Sequence, residues 1–166
     1  MLVSYSSNSK ICIFINNGSG SFLPKVEYSA GVTPLRIKVI DLDNDGFKEI
    51  VAANLSTELS LFKNNGDGTF AARSVITTSE SYQYGLDVAD MDGDGYLDLI
   101  VSSSEISLYK VSIYFGKNDG TYDLPLALAI SNEANIILAK DIDADGAIDL
   151  VVPVYNGKTE VYLNKN

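Results

Sequence analysis

Short apolar runs separated by polar, glycine-containing loops are the main pattern of this sequence. Residues 50–53, 99–101 and 150–152 are apolar and rich in Val, Ile and Leu. Runs of this length and composition, next to turn-forming residues, are typical of buried β-strands. No segment shows the 3.6-residue apolar period of an amphipathic helix. The pattern therefore predicts an all-β protein.

An acidic loop precedes each apolar run at a regular spacing. The loops begin at Asp41, at Asp90, which lies 49 residues later, and at Asp141, after a further 51 residues. A repeat of about 20–50 residues indicates a propeller, a solenoid or an array. The strands predicted within one period lie at residues 83–91, 96–102, 106–115 and 122–130. Four antiparallel strands per repeat make up one blade of a β-propeller.

A second marker, an Asn- and Gly-rich turn between aromatic residues, keeps the same period. It occupies residues 14–22, 62–70 and 114–122. Asn and Gly tolerate the left-handed backbone of tight hairpins, and the flanking aromatic residues favour strands. We interpret this marker as a structural β-hairpin turn.

The phase of the repeat predicts a single propeller segment over residues 1–166. Its repeats are approximately residues 2–32 (partial), 33–81, 82–132 and 133–166 (partial), with three, four, four and three strands. This is about three to four blades, whereas closed propellers contain about 4 to 8 full blades. We therefore expect an open arc that is completed by further blades of a longer parent chain or by self-association.

Each acidic loop has Asp at positions one, three and five, Gly at position six and a fourth acid at position nine. The three Asp side chains can turn inward around a cation, and residue seven can offer its carbonyl oxygen. Ca²⁺ prefers such oxygen ligands. The three predicted Ca²⁺ sites consist of Asp41, Asp43, Asp45, Phe47 and Glu49; of Asp90, Asp92, Asp94, Tyr96 and Asp98; and of Asp141, Asp143, Asp145, Ala147 and Asp149.

The end of each loop distinguishes it from an EF-hand. An EF-hand loop closes with a bidentate Glu at position twelve, where this chain has Ala52, Val101 and Val152. The acid at position nine instead leads directly into an apolar run. Each loop is therefore predicted to join two strands.

These repeats resemble the FG-GAP and VCBS repeats of β-propellers in integrin α chains and in many bacterial and fungal surface or secreted proteins. The resemblance covers nearly the whole chain and implies structural Ca²⁺ between the first and second strands of a blade. It also implies a role in adhesion or protein interaction. The Phe-Gly half of the motif is present only as Tyr84-Gly85, and no Gly-Ala-Pro follows the loops. The broader VCBS-like group is therefore the better match.

Composition argues against several classes of function. A net charge of -10 leaves no basic patch for nucleic acid, and twelve of the 22 acids lie in the three loops. Without any His the chain has neither a Ser-His-Asp triad nor His-based zinc chemistry. We predict that it is not an enzyme, because a catalytic site is normally built once rather than three times. No stretch approaches the ~20 apolar residues of a membrane span, and residues 1–10 lack signal-peptide features.

The favoured hypothesis is a Ca²⁺-stabilised module for adhesion or protein interaction. Loops of this type in extracellular modules need millimolar Ca²⁺, which favours a secreted or cell-surface location. We expect a protein or glycan ligand on the face opposite the acidic loops, because loops on a rigid scaffold commonly carry recognition. Tyr82 and Tyr84 with Glu80 form the most recognition-like cluster there. The alternatives are a carbohydrate-binding lectin propeller and a noncatalytic scaffold piece of a larger secreted enzyme.

Overall fold

The computed structural model describes residues 2–5, 8–105 and 108–165. These residues form fourteen β-strands in four antiparallel sheets, which contain three, four, four and three strands in chain order. The described part of the chain has no helix that is long and apolar enough to cross a membrane. The predicted all-β fold class and the predicted number of strands in each sheet are confirmed.

Each sheet is a meander in which strands that follow one another in the chain lie side by side. The first sheet contains β1 (Leu2–Tyr5), β2 (Lys10–Ile13) and β3 (Val26–Ser29). The second contains β4 (Pro34–Ile40), β5 (Glu49–Asn54), β6 (Glu58–Phe62) and β7 (Ser74–Thr77). The third contains β8 (Gln83–Ala89), β9 (Asp98–Glu105), β10 (Leu108–Tyr114) and β11 (Leu126–Ala129). The fourth contains β12 (Leu138–Lys140), β13 (Asp149–Val154) and β14 (Lys158–Tyr162).

The register of the ladders shows which strands are equivalent. Between the second and third strands of a blade, the paired residues are Val51 with Leu61, Ile100 with Ile113 and Val151 with Val161. The acidic loops immediately precede β5, β9 and β13, so each loop joins the first and second strands of its blade. The first sheet therefore holds the second to fourth strands of a blade, and the last sheet holds the first to third.

Apolar clusters lie between successive sheets. Each cluster combines residues of two neighbouring sheets: Ile11 and Ile13 with Ile50 and Phe62; Val51 and Leu59 with Leu86 and Val101; Val111 and Ile113 with Leu150 and Val152. The whole of β5 is buried, because both of its faces are covered by neighbouring sheets. This explains why its sequence is a continuous apolar run instead of an alternating one.

The first strands of the blades lie next to one another and are tied by polar contacts. Lys38 of β4 forms an ion pair with Asp87 of β8, with 2.8 Å between Nζ and Oδ1. The backbone N–H of Ala139 in β12 donates to Oδ2 of the same carboxylate at 3.0 Å. One buried carboxylate thus connects three sheets, which is the arrangement of inner strands around the axis of a propeller.

The Asn-Gly turns are hairpins, as predicted. Isolated bridges pair Asn16 with Phe22, Asn64 with Phe70 and Gly116 with Tyr122. In the second blade the N–H of Gly66 donates to Oδ1 of Asn64 at 3.0 Å. Gly66 has φ of 78°, in the left-handed region where Gly is favoured. Each turn joins the third and fourth strands of a blade.

Candidate metal centres

The first Asp of each acidic loop curls the loop around its own carboxylate. The Oδ2 atoms of Asp41, Asp90 and Asp141 accept the N–H of the Gly at position six at 3.0, 2.9 and 3.0 Å. The Asp at position five accepts the N–H of residue seven, at 2.8 Å for Phe47, 2.8 Å for Tyr96 and 3.0 Å for Ala147. Short Asp side chains make such local turns readily. The loop geometry therefore follows from the Asp spacing itself.

Acidic side chains converge in each of the three loops, although the loop positions that contribute differ. Carboxylate oxygens that all lie within 4.8 Å of one another come from Asp41, Asp43, Asp45 and Glu49; from Asp90, Asp92 and Asp94; and from Asp141, Asp143 and Asp149. Asp98 and Asp145 lie outside these clusters. Ligation by the carbonyl oxygens of residues at position seven stays a prediction.

Position four of each loop adopts a left-handed backbone that the sequence reasoning missed. Asn44, Gly93 and Ala144 have φ of 57°, 77° and 62°. Asn and Gly accept this conformation easily, whereas Ala pays a steric penalty because of its Cβ. Asn and Gly at the same loop position were the available signal. Ala144 is therefore a strained residue in the third loop.

The acids at position nine clamp each loop to a neighbouring hairpin. Glu49, Asp98 and Asp149 are buried. One oxygen of each accepts the N–H of residue two of the loop, at 2.9, 2.7 and 3.0 Å. The other accepts the N–H of the residue that starts the Asn-Gly turn or its equivalent, Asn64, Gly116 or Asn164, at 3.3, 2.8 and 2.8 Å. The acidic loops and the hairpin turns therefore lie at the same edge of the sheets, as expected from alternating strand direction.

The surroundings of Asp98, the acid at position nine of the central loop, shift its pKa. Burial raises the pKa of Asp98 to about 6, and the negative charges of Asp92 and Asp90 act in the same direction. Its two backbone hydrogen bonds oppose this shift. A cation near the loop would stabilise the charged form of this carboxylate.

Lysine side chains already place a positive charge on two of the loops. Nζ of Lys63 lies 2.6 Å from Oδ2 of Asp43, and Nζ of Lys165 lies 2.8 Å from Oδ2 of Asp143. These hydrogen bonds raise the pKa of both lysines, and the pKa of Asp143 is lowered by its bond to Lys165. In the described part of the chain, no Lys or Arg pairs with the central loop acids. The first and third loops thus each hold a lysine counterion, which a metal ion would have to displace.

The donor sets fit Ca²⁺. Ca²⁺ binds oxygen ligands at about 2.3–2.6 Å, so two oxygens on one ion lie at most about 4.6–5.2 Å apart. The clusters, whose oxygens lie within 4.8 Å, satisfy this limit. Three or four carboxylates at this separation repel one another in the absence of a cation. The spacing of the clusters is therefore compatible with a divalent cation.

The prediction of a recognition cluster at the edge opposite the acidic loops is wrong for Glu80. Glu80 is completely buried, where its Oε1 accepts the hydroxyl of Ser112 at 2.8 Å and lies 3.1 Å from Nζ of Lys110. Its Oε2 accepts the hydroxyl of Tyr114. Glu80 therefore anchors a connection between two blades. Tyr82 is 52% exposed, with φ of 56°, and it remains available to a partner.

The connections at the opposite edge are those between second and third strands and those between blades. The former include residues 55–57 and 155–157, and Tyr155 is 81% exposed. A third connection was predicted at residues 102–107, but residues 102–105 belong to β9, and residues 106 and 107 lie outside the described residues. Because Tyr82 lies in the connection between the second and third blades, the exposed Tyr82 and Tyr155 both belong to this edge.

Comparison with known proteins gives a family match and a fold match. A family model described as an FG-GAP-like repeat matches residues 1–52 and 41–101. A solved structure, described as the crystal structure of BBS1N in complex with ARL6DN, soaked with lead, is similar with a TM-score of 0.58 and 13% sequence identity. The match covers 99% of this chain and 52% of that chain, so this chain spans about half the length of that one. No curated protein sequence matches significantly.

Proposed function

The chain belongs to the FG-GAP-like repeat family, and from that premise we propose that it is a Ca²⁺-stabilised β-propeller module that binds a protein partner. The convergence of acidic side chains in all three loops carries this proposal. Three equivalent loops at one edge fit a structural role better than a catalytic one, because catalytic groups are normally assembled once. The residues that would hold the ions are the loop acids, and each ion would supply a positive centre that neutralises them.

Stabilisation by Ca²⁺ follows from binding to the folded state alone. An ion that binds the native loops and not the unfolded chain raises stability by mass action. In extracellular modules such sites have Kd of about 10⁻⁴ to 10⁻³ M, so they fill at millimolar Ca²⁺. We therefore place the protein at the cell surface or outside the cell as part of this proposal.

The partner surface in this proposal is the edge opposite the acidic loops. Exposed Tyr82 and Tyr155 lie in connections of that edge. Tyr offers a rigid apolar ring with a hydroxyl group, which suits protein surfaces. The similar structure was solved as a complex with another protein, which supports a protein partner. A glycan array provides the test of the alternative: saturable glycan binding that Tyr155→Ala removes would replace the protein partner with a sugar.

Thermal melts and calorimetry test the metal sites. We expect a higher Tm in millimolar Ca²⁺ than in EDTA, and three binding events by calorimetry. Asp94→Ala should remove one event and leave the outer two. Asp123→Ala, the same charge change in an exposed ion pair outside the loops, should leave all three. Coincident melts in Ca²⁺ and EDTA would refute the proposed role of the metal.

A further inference from the structure

The first and third acidic loops each hold the ammonium group of a lysine from their own blade. Nζ of Lys63 lies 2.6 Å from Oδ2 of Asp43 and 3.7 Å from Oδ2 of Asp45. Nζ of Lys165 lies 2.8 Å from Oδ2 of Asp143. Both lysine side chains are more than half exposed, so they can move away from the loop into solvent. An ammonium group and a metal ion therefore compete for the same carboxylate oxygens.

The central loop differs from the other two in its counterion and not in its acids. Each of the three loops contains four acids. In the part of the chain that the structure describes, no Lys or Arg forms an ion pair with the four acids of the central loop. Because its negative charge is not compensated by a lysine, the central loop attracts a divalent cation more strongly than the other two loops do.

A lysine is nevertheless present at a position from which the central loop could be reached. The N–H groups of Gly116 and Asn164 each donate to the clamping acid of their own blade, both at 2.8 Å. The residues that follow them, Lys117 and Lys165, therefore hold equivalent positions. Lys165 contacts the acidic loop of its blade. Lys117 instead forms an ion pair with Asp123, which lies on the other side of the same hairpin turn.

We propose that Asp123 is a positioning residue that holds Lys117 away from the central loop, so that this loop binds Ca²⁺ more tightly than the first and third loops, which Lys63 and Lys165 weaken. The inference rests on the proposed Ca²⁺ binding and names the residues that regulate it. As the Ca²⁺ concentration rises, the central loop is filled before the other two. An exposed ion pair shifts an equilibrium by up to about fivefold, which sets the size of the expected difference.

Three double variants, each with one intact loop, measure the affinities separately. Each variant has Ala at position three of two loops, chosen from Asp43, Asp92 and Asp143, which all belong to the acidic clusters. Calorimetry gives Kd for Ca²⁺, and circular dichroism verifies folding. We expect Kd of the central loop to be about two- to fivefold lower than that of either other loop. With only the first loop intact, Lys63→Gln should lower Kd by about the same factor, whereas Lys10→Gln, at a lysine that pairs with an acid outside the loops, should not.

The variant with only the central loop intact tests the role of Asp123. Asp123→Asn removes the charged partner of Lys117 and preserves the size of the side chain, so it should raise Kd about two- to fivefold. The number of binding events should not change. Adding Lys117→Gln to Asp123→Asn should restore the original Kd. Lys117→Gln alone should leave Kd unchanged, because this lysine pairs with Asp123 and not with the loop. A general effect of surface charge would instead lower Kd in Lys117→Gln.

Several results would overturn this inference. They are equal Kd values for the three loops, an unchanged Kd in Asp123→Asn, a Kd that Lys117→Gln does not restore in the combined variant, and a lower Kd in Lys117→Gln alone. Each of these results requires measurable Ca²⁺ binding. A complete lack of Ca²⁺ binding is a different result, which would refute the proposed function and this inference together.

Discussion

The strained backbone of Ala144 gives a quantitative test of the loop geometry. Ala144 has φ of 62°, whereas Ala147, three residues later in the same loop, is not among the residues with positive φ. Replacing either residue by Gly raises the entropy of the unfolded chain by a similar amount, about 0.4–1 kcal/mol. Only Ala144→Gly also relieves a left-handed Cβ, which is worth about 1–2 kcal/mol.

The two substitutions should therefore differ in stability by about 1–2 kcal/mol, since the unfolded-state effect cancels between them. For a chain of this size, 1 kcal/mol corresponds to about 2–4 °C in Tm. We expect Ala144→Gly to melt about 2–8 °C above Ala147→Gly when both are measured in EDTA. Differential scanning calorimetry is the assay, with urea unfolding as a second measurement. Equal melting temperatures would show that position four carries no strain and that the loop geometry described above is wrong.

Three further predictions concern the inner strands, the first sheet and the third loop. Asp87→Ala should lower the free energy of unfolding by about 1.5–3 kcal/mol in urea titrations, because it removes hydrogen bonds to a buried charged group on which three sheets converge. Hydrogen bonds from two lysines lower the pKa of Glu27 to about 2. Its contribution to the free energy of unfolding is therefore complete above its unfolded pKa near 4.5 and is lost as the pH falls towards 2. The Tm difference between the native chain and Glu27→Gln should shrink over that range. Lys165→Gln should increase the Ca²⁺ affinity of the third loop in calorimetry, because the competing ammonium group is removed, while Lys10→Gln should not.

The acidic loops were predictable because their geometry is local. Three Asp within five residues meet the backbone of their own loop, so the residue spacing alone indicates the fold of the loop. The repeat period and the apolar runs likewise predicted the blades, since strands such as β5 are covered on both faces. The outer strands are shorter than expected, with residues 122–130 reduced to Leu126–Ala129. Pro125 lacks the N–H that would extend this ladder.

Other features depend on residues that are distant in the chain. The clamp formed by Asp98 depends on Gly116, 18 residues away, and no local pattern reveals it. Glu80 looked exposed because it lies in a polar connection, but its partner Ser112 is 32 residues distant. Tyr122 was likewise predicted as a strand residue, but Leu42 and Leu61, which pack in the same cluster, belong to the preceding blade. Tertiary contacts of this kind decide the role of a polar or aromatic residue after the fold is formed.

At the edge of the sheets that carries the carboxylate clamps, the loops must keep their length. At the opposite edge, the length of the connections can vary. Each clamp fixes the acidic loop to a hairpin, so an insertion at that edge would break hydrogen bonds to a buried charge. The connection at residues 155–157 lies at the other edge, is exposed, and turns at Gly157 with φ of 81°. Doubling the length of a flexible loop adds only about 0.6 kcal/mol of closure entropy. This turn is therefore suited to receive a grafted peptide or reporter domain, with the metal loops left intact.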